Sequence, residues 1–494
     1  MNETQTCFVQ RCSGARTGLF AALAALTLTL GACSGANIRS VEQLPTPQPE
    51  RTTLLSASEQ REHLRILAAY GGVYQNPRVQ DMLEKTVDKL VAASERPEQK
   101  YQVTMLNSAA VNAFALPNGQ LYVTRGLIAL ANDTSELASV LSHEMAHVIA
   151  RHAAIREDQA RQAALVSRVA TDLLSDPQLG ALALAKSKIA LANFSRAQEF
   201  EADGIGVGIS ARAGYDPYGA ERFLTSMGMN AHLKAARASI DPRAPDFLSS
   251  HPATPERVTN AVANARQYTG PGNGQRDRNA YLQLLDGLIY GEDPSEGFVR
   301  GRKFLHPKLG FTFTAPDGFT LDNTAHAVFG VKDGGAQALR LDVVRVAAEQ
   351  TLPEYLTSGW IENIDPKTIE ELTVGGFPAA TATASGEQWT FRLYLVRFGS
   401  EVYRIIFAAK NRTDAVDRSF RDSLGTFRRM TVSETQSAQP QRLKLAEVKP
   451  GDTVERLARR MAVTDRAAER FRVLNGLGEK DRLKPGDLVK IVVE

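Results

Sequence analysis

Residues 143–147 read His143-Glu144-Met145-Ala146-His147, and this stretch decides how the rest of the sequence is interpreted. A spacing of four places both histidines on one face of a helix, one turn apart, where two imidazoles can bind one Zn²⁺. Glu144 lies beside them, where a carboxylate can accept a proton from an attacking water molecule. The pattern predicts a hydrolytic zinc site. The alternative is a solvated helix that carries two unrelated histidines.

The flanking residues favour a packed helix. Asp133-Thr134-Ser135-Glu136 fits a capping box, with a polar N-cap and a glutamate three residues later. Leu137, Leu141 and Val148 then recur at helical spacing and predict a buried stripe. The histidines border this stripe, so both side chains are expected to project from a fixed helix.

A catalytic zinc ion needs a third protein ligand, and the segment Ser195 to Asp203 is the best source. Glu199 and Asp203 are four residues apart and share a face if the segment is helical. One carboxylate can bind the metal while the other accepts the free ring N–H of a ligand histidine. Glu201 points elsewhere and is interpreted as a surface charge. The alternative is an acidic solvated face.

Four motifs, in order along the chain, support a family resemblance. They are Asn112-Ala113-Phe114-Ala115-Leu116-Pro117-Asn118-Gly119 with Tyr122 to Leu127, His143 to His147 with Arg151-His152, Ser195-Arg196-x-x-Glu199-x-x-Ala202-Asp203, and Ser250-His251-Pro252 with Arg257. On these motifs, the chain from about Ser58 to Tyr268 resembles the HtpX/BepA-type zinc metallopeptidases, peptidase family forty-eight, within the gluzincins.

The resemblance implies a role for each matching residue. His143, His147 and Glu199 would be the ligands of one Zn²⁺ per chain, and Glu144 would be the general base. Asp203 would be the second acid, which orients a ligand and is sometimes described as a proton donor.

Two further histidines differ in what the resemblance implies. His251 matches a family histidine near the metal, which would stabilise the transition state or occupy the fourth zinc position in a latent state. The alternative is an ordinary His-Pro turn. His152 is five residues past His147, off the metal face, and is interpreted as structural.

An apolar segment precedes the metal helix. Val111 to Leu116, followed by Pro117 and Gly119, predicts a short strand and a turn. An edge strand here would bind an extended peptide by backbone pairing. The alternative is a strand that only belongs to the core. The predicted substrate-binding residues are Asn112, Ala113, Phe114 and Ala115.

The N-terminus predicts export and lipid attachment. Arg11 and Arg16 precede an apolar run at 19–30, which is typical of a signal peptide and short for a membrane span. Leu30-Gly31-Ala32-Cys33 resembles a bacterial lipobox, so residues 1–32 would be removed and Cys33 would carry the lipid. Residues 33–57 would be a tether. Ser34 favours the outer membrane over the inner membrane, on the periplasmic side. The alternative is plain secretion with an incidental cysteine.

Length and composition limit the remaining possibilities. The chain has 494 residues, room for about three domains. The formal net charge of +3 by itself neither favours nor excludes nucleic acid, and we expect no nucleic-acid partner. The Ala- and Leu-rich segment 163–191 contains five charged residues and is interpreted as helices over or beside the site. Unlike HtpX-type members, the chain shows no membrane-spanning segment, and unlike BepA-type members it shows no helical repeats.

The middle of the chain changes pattern. Residues 269–300 are interpreted as a linker with a short helix, and residues 433–443 as a second linker. Between them, residues 301–432 alternate in strand fashion at 311–313, 338–346, 390–397 and 402–408, with helices predicted at 355–361 and 416–427. This predicts a small α+β domain that weakly resembles PsbP/Mog-type domains and serves in binding or scaffolding.

Residues 444–494 predict a βααβ unit. Lys449-Pro450-Gly451-Asp452, Leu474-Asn475-Gly476-Leu477 and Lys484-Pro485-Gly486-Asp487 mark its turns, and Leu488 to Val493 form a strand. The segment resembles a LysM module, which implies peptidoglycan binding. The alternative is a LysM-like spacer.

The sequence therefore predicts an α+β multidomain protein. A mainly helical zincin-type metalloprotease domain with a small β-sheet (58–268) precedes the α+β domain and the LysM-like module. The expected function is a lipid-anchored periplasmic zinc endopeptidase that acts on unfolded or misassembled envelope proteins. Two alternatives stay open: a latent, mainly non-proteolytic assembly chaperone or peptidoglycan-tethered scaffold, and a peptidoglycan amidase.

Overall fold

The computed structural model describes residues 55–158, 161, 195–235, 251–324, 327–463 and 465–494. The predicted signal peptide, Cys33, most of the tether and the segment 163–191 lie outside the described residues. From Leu54 to Glu494 the chain forms one compact unit. Among the described residues, no helix has both the length and the apolar character needed to cross a bilayer.

The first part of the chain is mainly helical, and side-chain caps define where several helices begin. Ser56 and Ser195 form capping boxes with Glu59 and Gln198. The helices are α1 (Ala57–Ala69), α2 (Pro77–Ala93), α3 (Arg125–Leu130), α4 (Thr134–Ile149), α5 (Arg196–Arg212), α6 (Gly219–Ala235), α7 (Pro255–Arg266) and α8 (Arg278–Leu285).

A small sheet lies beside these helices. Its strands are β1 (Gln102–Leu106), β2 (Ala113–Ala115) and β3 (Gln120–Thr124). The order is β1-β3-β2, with β1 parallel and β2 antiparallel to β3. The predicted strand before the metal helix is therefore present, and it forms one edge of this sheet.

Helix α4 lies at the centre of the N-terminal helical part, which contains α1 to α8, and differs from the prediction in two ways. Residues Thr134 to His147 are all buried, so the helix is enclosed on every side and not along one stripe. Asp133 caps the helix, but the carboxylate of Glu136 accepts the amide of Asn132 instead of the N-cap amide, so the predicted capping box is wrong in its second half.

Two glycines allow helices to approach α4 closely. A Cβ atom on Gly206 of α5 would lie 3.0 Å from the Cα of His143, and one on Gly219 of α6 would lie 2.4 Å from the carbonyl oxygen of Ser135. The distance at Gly219 is shorter than real Cβ contacts, and the distance at Gly206 is tighter than nine in ten of them, so larger residues at these positions would push the helices apart.

The middle of the chain contains two antiparallel sheets. The four-stranded sheet has the order β14-β6-β5-β4, and the seven-stranded sheet has the order β10-β11-β12-β13-β9-β8-β7. The strands are β4 (Phe298–Arg300), β5 (Lys303–His306), β6 (Phe311–Thr314), β7 (Thr320–Asn323), β8 (Ala327–Lys332), β9 (Gln337–Val344), β10 (Ile364–Val374), β11 (Phe377–Ser385), β12 (Thr390–Phe398), β13 (Glu401–Ala409) and β14 (Arg428–Arg429).

Three helices accompany these sheets: α9 (Leu352–Leu356), α10 (Asp414–Gly425) and α11 (Val432–Ser437). All four predicted strands and the helix near 416–427 are present. The helix predicted at 355–361 is wrong in its extent, because α9 lies earlier and ends before Gly359, whose φ is +88°. Helix α11 occupies part of the segment predicted as a linker.

The C-terminal part has the predicted βααβ order. It consists of β15 (Arg442–Glu447), α12 (Val454–Ala458), α13 (Ala467–Asn475) and β16 (Leu488–Val493), with β15 antiparallel to β16. Its apolar residues belong to the same core cluster as those of α2, α3 and α4. The identity of this unit as a LysM module and the domain boundaries stay predictions.

Lys490 shows how closely the C-terminal part is joined to the N-terminal helical part. Its side chain is fully buried, and its Nζ lies 2.7, 3.3 and 2.8 Å from the carbonyl oxygens of Ala129, Leu130 and Ala131. These carbonyls end α3 and would otherwise lack a helical partner. The C-terminal part therefore caps a helix of the N-terminal helical part.

Candidate metal centre

Helix α4 presents the two predicted histidine ligands as one pair. His143 and His147 are each 5% exposed, and their Nε2 atoms lie 3.1 Å apart. Glu144 is also buried, one residue along the same helix. Two ring nitrogens this close, both directed at one point, need a proton or a metal ion between them.

Helix α5 supplies the two predicted carboxylates. Glu199 has Oε2 at 3.5 Å from Nε2 of His143 and Oε1 at 3.5 Å from Nε2 of His147. Asp203 lies one turn further on, with Oδ1 at 3.0 Å from Nδ1 of His143. Glu199 thus faces the nitrogen atoms that can bind a metal, whereas Asp203 faces the opposite side of the first imidazole.

His251 completes the cluster from the segment before α7. Its Nδ1 lies 2.9 Å from Oε1 of Glu199 and 3.3 Å from Nε2 of His143. One ligand atom from each of His143, His147, Glu199 and His251 lies within 4.8 Å of the others. His251 is 2% exposed, so it belongs to the cluster and not to a surface turn.

Arg257 of α7 holds both carboxylates. Its guanidinium donates from Nε and Nη2 to Asp203 at 2.8 and 2.6 Å, and its Nη1 lies 2.7 Å from Oε2 of Glu199. Burial opposes the ionised forms, but Arg257 and His143 hold the pKa of Asp203 below its usual value, and His143 and His251 hold that of Glu199 well below. Both carboxylates are therefore ionised.

The two histidines of α4 respond to this negative charge differently. Burial opposes protonation of His143, yet hydrogen bonds to Asp203 and Glu199 outweigh burial and raise its pKa to about 9. Burial, followed by repulsion from His143 and His251, lowers the pKa of His147 well below its usual range. The cluster thus favours one positive charge at its centre, which is what a bound cation would supply.

The donor set fits zinc. Imidazole nitrogens and one carboxylate are zinc ligands, whereas calcium and magnesium prefer oxygen alone. Glu144 adds an independent observation. Its Oε1 is buried without a hydrogen-bond partner among the described residues, and Nε2 of His251 lies 3.8 Å from it. A buried acceptor without a partner is costly unless a further group, such as a water molecule at the metal, completes the site.

The structure adds contacts at two residues that the sequence placed outside the metal site. His152 lies off the metal face, as expected, since it contacts the side of His147 away from the cluster, where the two Nδ1 atoms are 2.9 Å apart. Glu201, interpreted as a surface charge, is 59% exposed but lies 3.3 Å from Nε2 of His152. Helical spacing does not predict the contact between His152 and His147, because α4 ends at Ile149 and Arg151 takes a φ of +57°.

The predicted substrate-binding segment lies on and before β2. Asn112 is buried, and its side chain donates a hydrogen bond to the hydroxyl of Tyr70 at 2.8 Å, which stabilises the fold. Among the described residues, Ala113, Phe114 and Ala115 pair with one strand, β3, and the ring of Phe114 stacks on Tyr122 at 4.9 Å. Cys33, the predicted lipidation site, lies outside the described residues.

Comparison with known proteins agrees with this geometry. Residues 77–265 match the model of peptidase family M48. The segment is a peptidase family M48 domain. The resemblance predicted from the sequence is therefore confirmed, and the M48 domain contains every member of the metal cluster.

Similar proteins share this part of the chain. The Escherichia coli protein named "Beta-barrel assembly-enhancing protease" is 29% identical over 253 residues, which cover 49% of this chain and 50% of the relative. The Schizosaccharomyces pombe "Mitochondrial metalloendopeptidase OMA1" is 30% identical over 177 residues, 36% of this chain and 50% of the relative. The chain thus spans about half the length of these curated relatives.

Proposed function

We propose that this protein is a zinc-dependent metalloendopeptidase in which His143, His147 and Glu199 hold one zinc ion. The observation that carries the proposal is the buried convergence of these three side chains beside Glu144, an acceptor without a hydrogen-bond partner among the described residues. When bound, zinc supplies Lewis-acid chemistry that polarises a carbonyl and lowers the pKa of water.

Glu144 acts as the general base. Burial raises the pKa of its carboxyl group, which brings it closer to the range in which a carboxylate accepts a proton effectively near neutral pH. Its Oε1 accepts the proton of the attacking water molecule and later transfers it to the nitrogen of the leaving amine. Because Glu144 sits on the same helix as both histidines, the position of the base is fixed relative to the metal ligands.

Asp203 orients the first ligand. Its carboxylate accepts the Nδ1–H of His143, which leaves Nε2 free to face the metal. The bidentate ion pair with Arg257 keeps Asp203 ionised, so the geometry favours its role as an acceptor over that of a proton donor.

An extended substrate would pair with the free edge of β2. The backbone of Ala113 to Ala115 is hydrogen-bonded to β3 on its other side, and β2 packs against α4. Backbone pairing makes little demand on side chains, which suits an enzyme that acts on unfolded or misassembled polypeptides. When the enzyme cleaves one denatured protein, the sequences around the cleaved peptide bonds should therefore be several and unrelated.

The decisive experiment is Glu144→Gln. We expect zinc content to stay at one ion per chain while cleavage of an unfolded protein falls by about 10²–10⁴-fold, the usual contribution of a general base. Glu98→Gln, an exposed carboxylate on the loop after α2, is the matched control and should cleave normally. Equal cleavage by Glu144→Gln and the parent would refute the proposed mechanism.

His251 favours a second candidate, a latent assembly chaperone or scaffold. Its Nδ1 lies within the ligand cluster, where it can occupy the fourth zinc position and exclude water. His251→Ala separates the candidates: a gain in cleavage indicates a cap on the metal, whereas a loss indicates that His251 stabilises the transition state.

The proposed location is the periplasmic side of the outer membrane, with a lipid at Cys33 and peptidoglycan bound through residues 444–494. The lipobox-like sequence, the βααβ order and the name of the Escherichia coli relative support this proposal, with envelope proteins as substrates. Mass spectrometry of the N-terminal peptide tests the lipid. Sedimentation with purified sacculi tests wall binding, and release of soluble wall fragments would instead indicate an amidase.

A further inference from the structure

His152 is buried beside the second predicted ligand and touches it directly. It is 1% exposed, and its ring packs edge-on against that of His147, with centroids 4.9 Å apart. The two Nδ1 atoms lie 2.9 Å apart, within hydrogen-bond distance. Neither the metal ligands nor the general base accounts for this contact.

The local backbone explains how His152 reaches this place. Helix α4 ends at Ile149, with Ala150 as its C-cap, and Arg151 adopts the left-handed conformation with φ +57°. Residues 152–158 are then helical again. The single residue at positive φ folds the chain back, so that His152 lies behind His147.

Hydrogen-bond chemistry fixes the arrangement once His147 binds a cation through Nε2. Its Nδ1 must then carry the hydrogen and donate it to Nδ1 of His152, which therefore has no hydrogen there. A neutral His152 consequently carries its hydrogen on Nε2, and Oε2 of Glu201 lies 3.3 Å from that atom. In the chain His147–His152–Glu201, each hydrogen-bond donor thus faces an acceptor.

We propose that His152 is a positioning residue that, together with Glu201, fixes the tautomer and orientation of His147 for zinc binding. This inference rests on the proposed function. The first ligand uses one carboxylate for the same purpose, since Asp203 contacts His143 directly. The second ligand reaches its carboxylate through an additional imidazole. Loss of a group that hydrogen-bonds to a metal ligand typically weakens metal affinity by about 10–100-fold.

The test is zinc affinity, measured by competition with a chromophoric chelator, and needs no turnover. His152→Phe keeps an aromatic ring but removes the acceptor, and we expect about 10–100-fold weaker binding. His152→Gln restores an acceptor oxygen and should bind within a few-fold of the parent. Rescue by glutamine would not occur if the residue only filled space.

Glu201→Ala removes the outer acceptor and should fold without difficulty, because this side chain is mostly exposed. We expect an affinity between those of the parent and His152→Phe. Unchanged affinity in both His152→Phe and Glu201→Ala would overturn the inference, and unchanged affinity in Glu201→Ala alone would remove Glu201 from it. Failure of the parent to bind zinc would instead refute the proposed function.

Discussion

The two ends of helix α4 bury the same kinds of charged groups and use them differently. At the N-terminal end, Asp133 and Glu136 meet Arg222, with nitrogen–oxygen distances of 3.3 and 3.5 Å, and Asp133 also meets Arg276 at 2.9 Å. At the C-terminal end, Arg257 holds two carboxylates while three imidazoles converge beside them.

The two ends differ in which buried atoms lie together. At the N-terminal end each carboxylate has a guanidinium beside it, although burial and repulsion from Asp133 raise the pKa of Glu136 to about 7. At the C-terminal end, Oε1 of Glu144 has no hydrogen-bond partner among the described residues, and ligand atoms of the same kind face one another. Among the described residues, both ends contain a buried atom without a hydrogen-bond partner, Nε of Arg222 at one and Oε1 of Glu144 at the other, but the C-terminal end also brings together four groups that could hold a metal ion.

The largest effect is expected at the site end, from Arg257→Met. Removal of one partner of a buried charge network typically costs about 3–5 kcal/mol, because the remaining charges stay buried and unpaired. Here Glu199 and Asp203 would also lose their fixed positions, so zinc binding should weaken together with stability. Urea unfolding and zinc titration measure the two effects. Tight zinc binding by Arg257→Met would show that the arginine is not part of the metal support.

Arg222→Met is the matched change at the other end. We expect a loss of stability toward the lower limit of the same range, about 3 kcal/mol, because Arg276 stays beside Asp133. Zinc affinity should change little, since Arg222 contacts no member of the metal cluster among the described residues. A loss of zinc affinity as large as that of Arg257→Met would mean that the two ends are not separate networks.

Lys490→Met extends the comparison to the C-terminal part. The substitution leaves three carbonyl oxygens at the end of α3 without their donor, and an orphaned buried group costs about 1–3 kcal/mol. Lys484→Met, an exposed lysine of the same part, is the control and should stay within about 0.5 kcal/mol of the parent. Equal unfolding midpoints for both variants would contradict a capping role for Lys490.

The smallest effect concerns a buried carboxyl group away from α4. Burial raises the pKa of Glu292 to about 7, although its oxygens accept the amide of Val299 at 2.9 Å. The folded state therefore binds an extra proton between the ordinary pKa of 4.5 and about 7, and stability falls as the pH rises through that range. Above the pKa of Glu292 in the folded state, the full cost of holding its ionised carboxylate in a buried site is present.

Glu292→Gln removes this penalty. Its advantage over the parent should grow between pH 5 and pH 8 by up to about 1 kcal/mol, a modest value because the side chain is 24% exposed. Thermal unfolding at several pH values measures it, with Glu98→Gln as control. A difference that is independent of pH would show that burial does not shift this group.

The structure brings His143, Glu144 and His147 together as helical spacing predicts. These three residues follow from one pattern, and the choice of Glu199 over Asp203 as ligand came from the family resemblance. The contact between His152 and His147 was not predicted, because one residue at positive φ breaks the helical periodicity. No local pattern marks Arg151 as such a residue.

The remaining errors have similar physical causes. Strands β10 and β11 were not predicted because β10 contains Pro366 and an irregular register, while β11 is rich in alanine, which has little preference for strands. Lys490 lies between Val489 and Ile491, an alternation that predicts a solvent-facing lysine. Its burial depends on α3, which is distant in sequence and enters no local pattern.

The absence of a side chain at Gly206 has a consequence for the metal centre as a whole. Because backbone meets backbone where α5 passes His143, the separation of the two ligand helices is set by main-chain contact and not by flexible side chains. The spacing between Glu199 and His143 is therefore set by this backbone contact. Gly206 lies two turns away from Glu199, and its lack of a Cβ atom therefore sets the size of the ion that fits between Glu199 and His143.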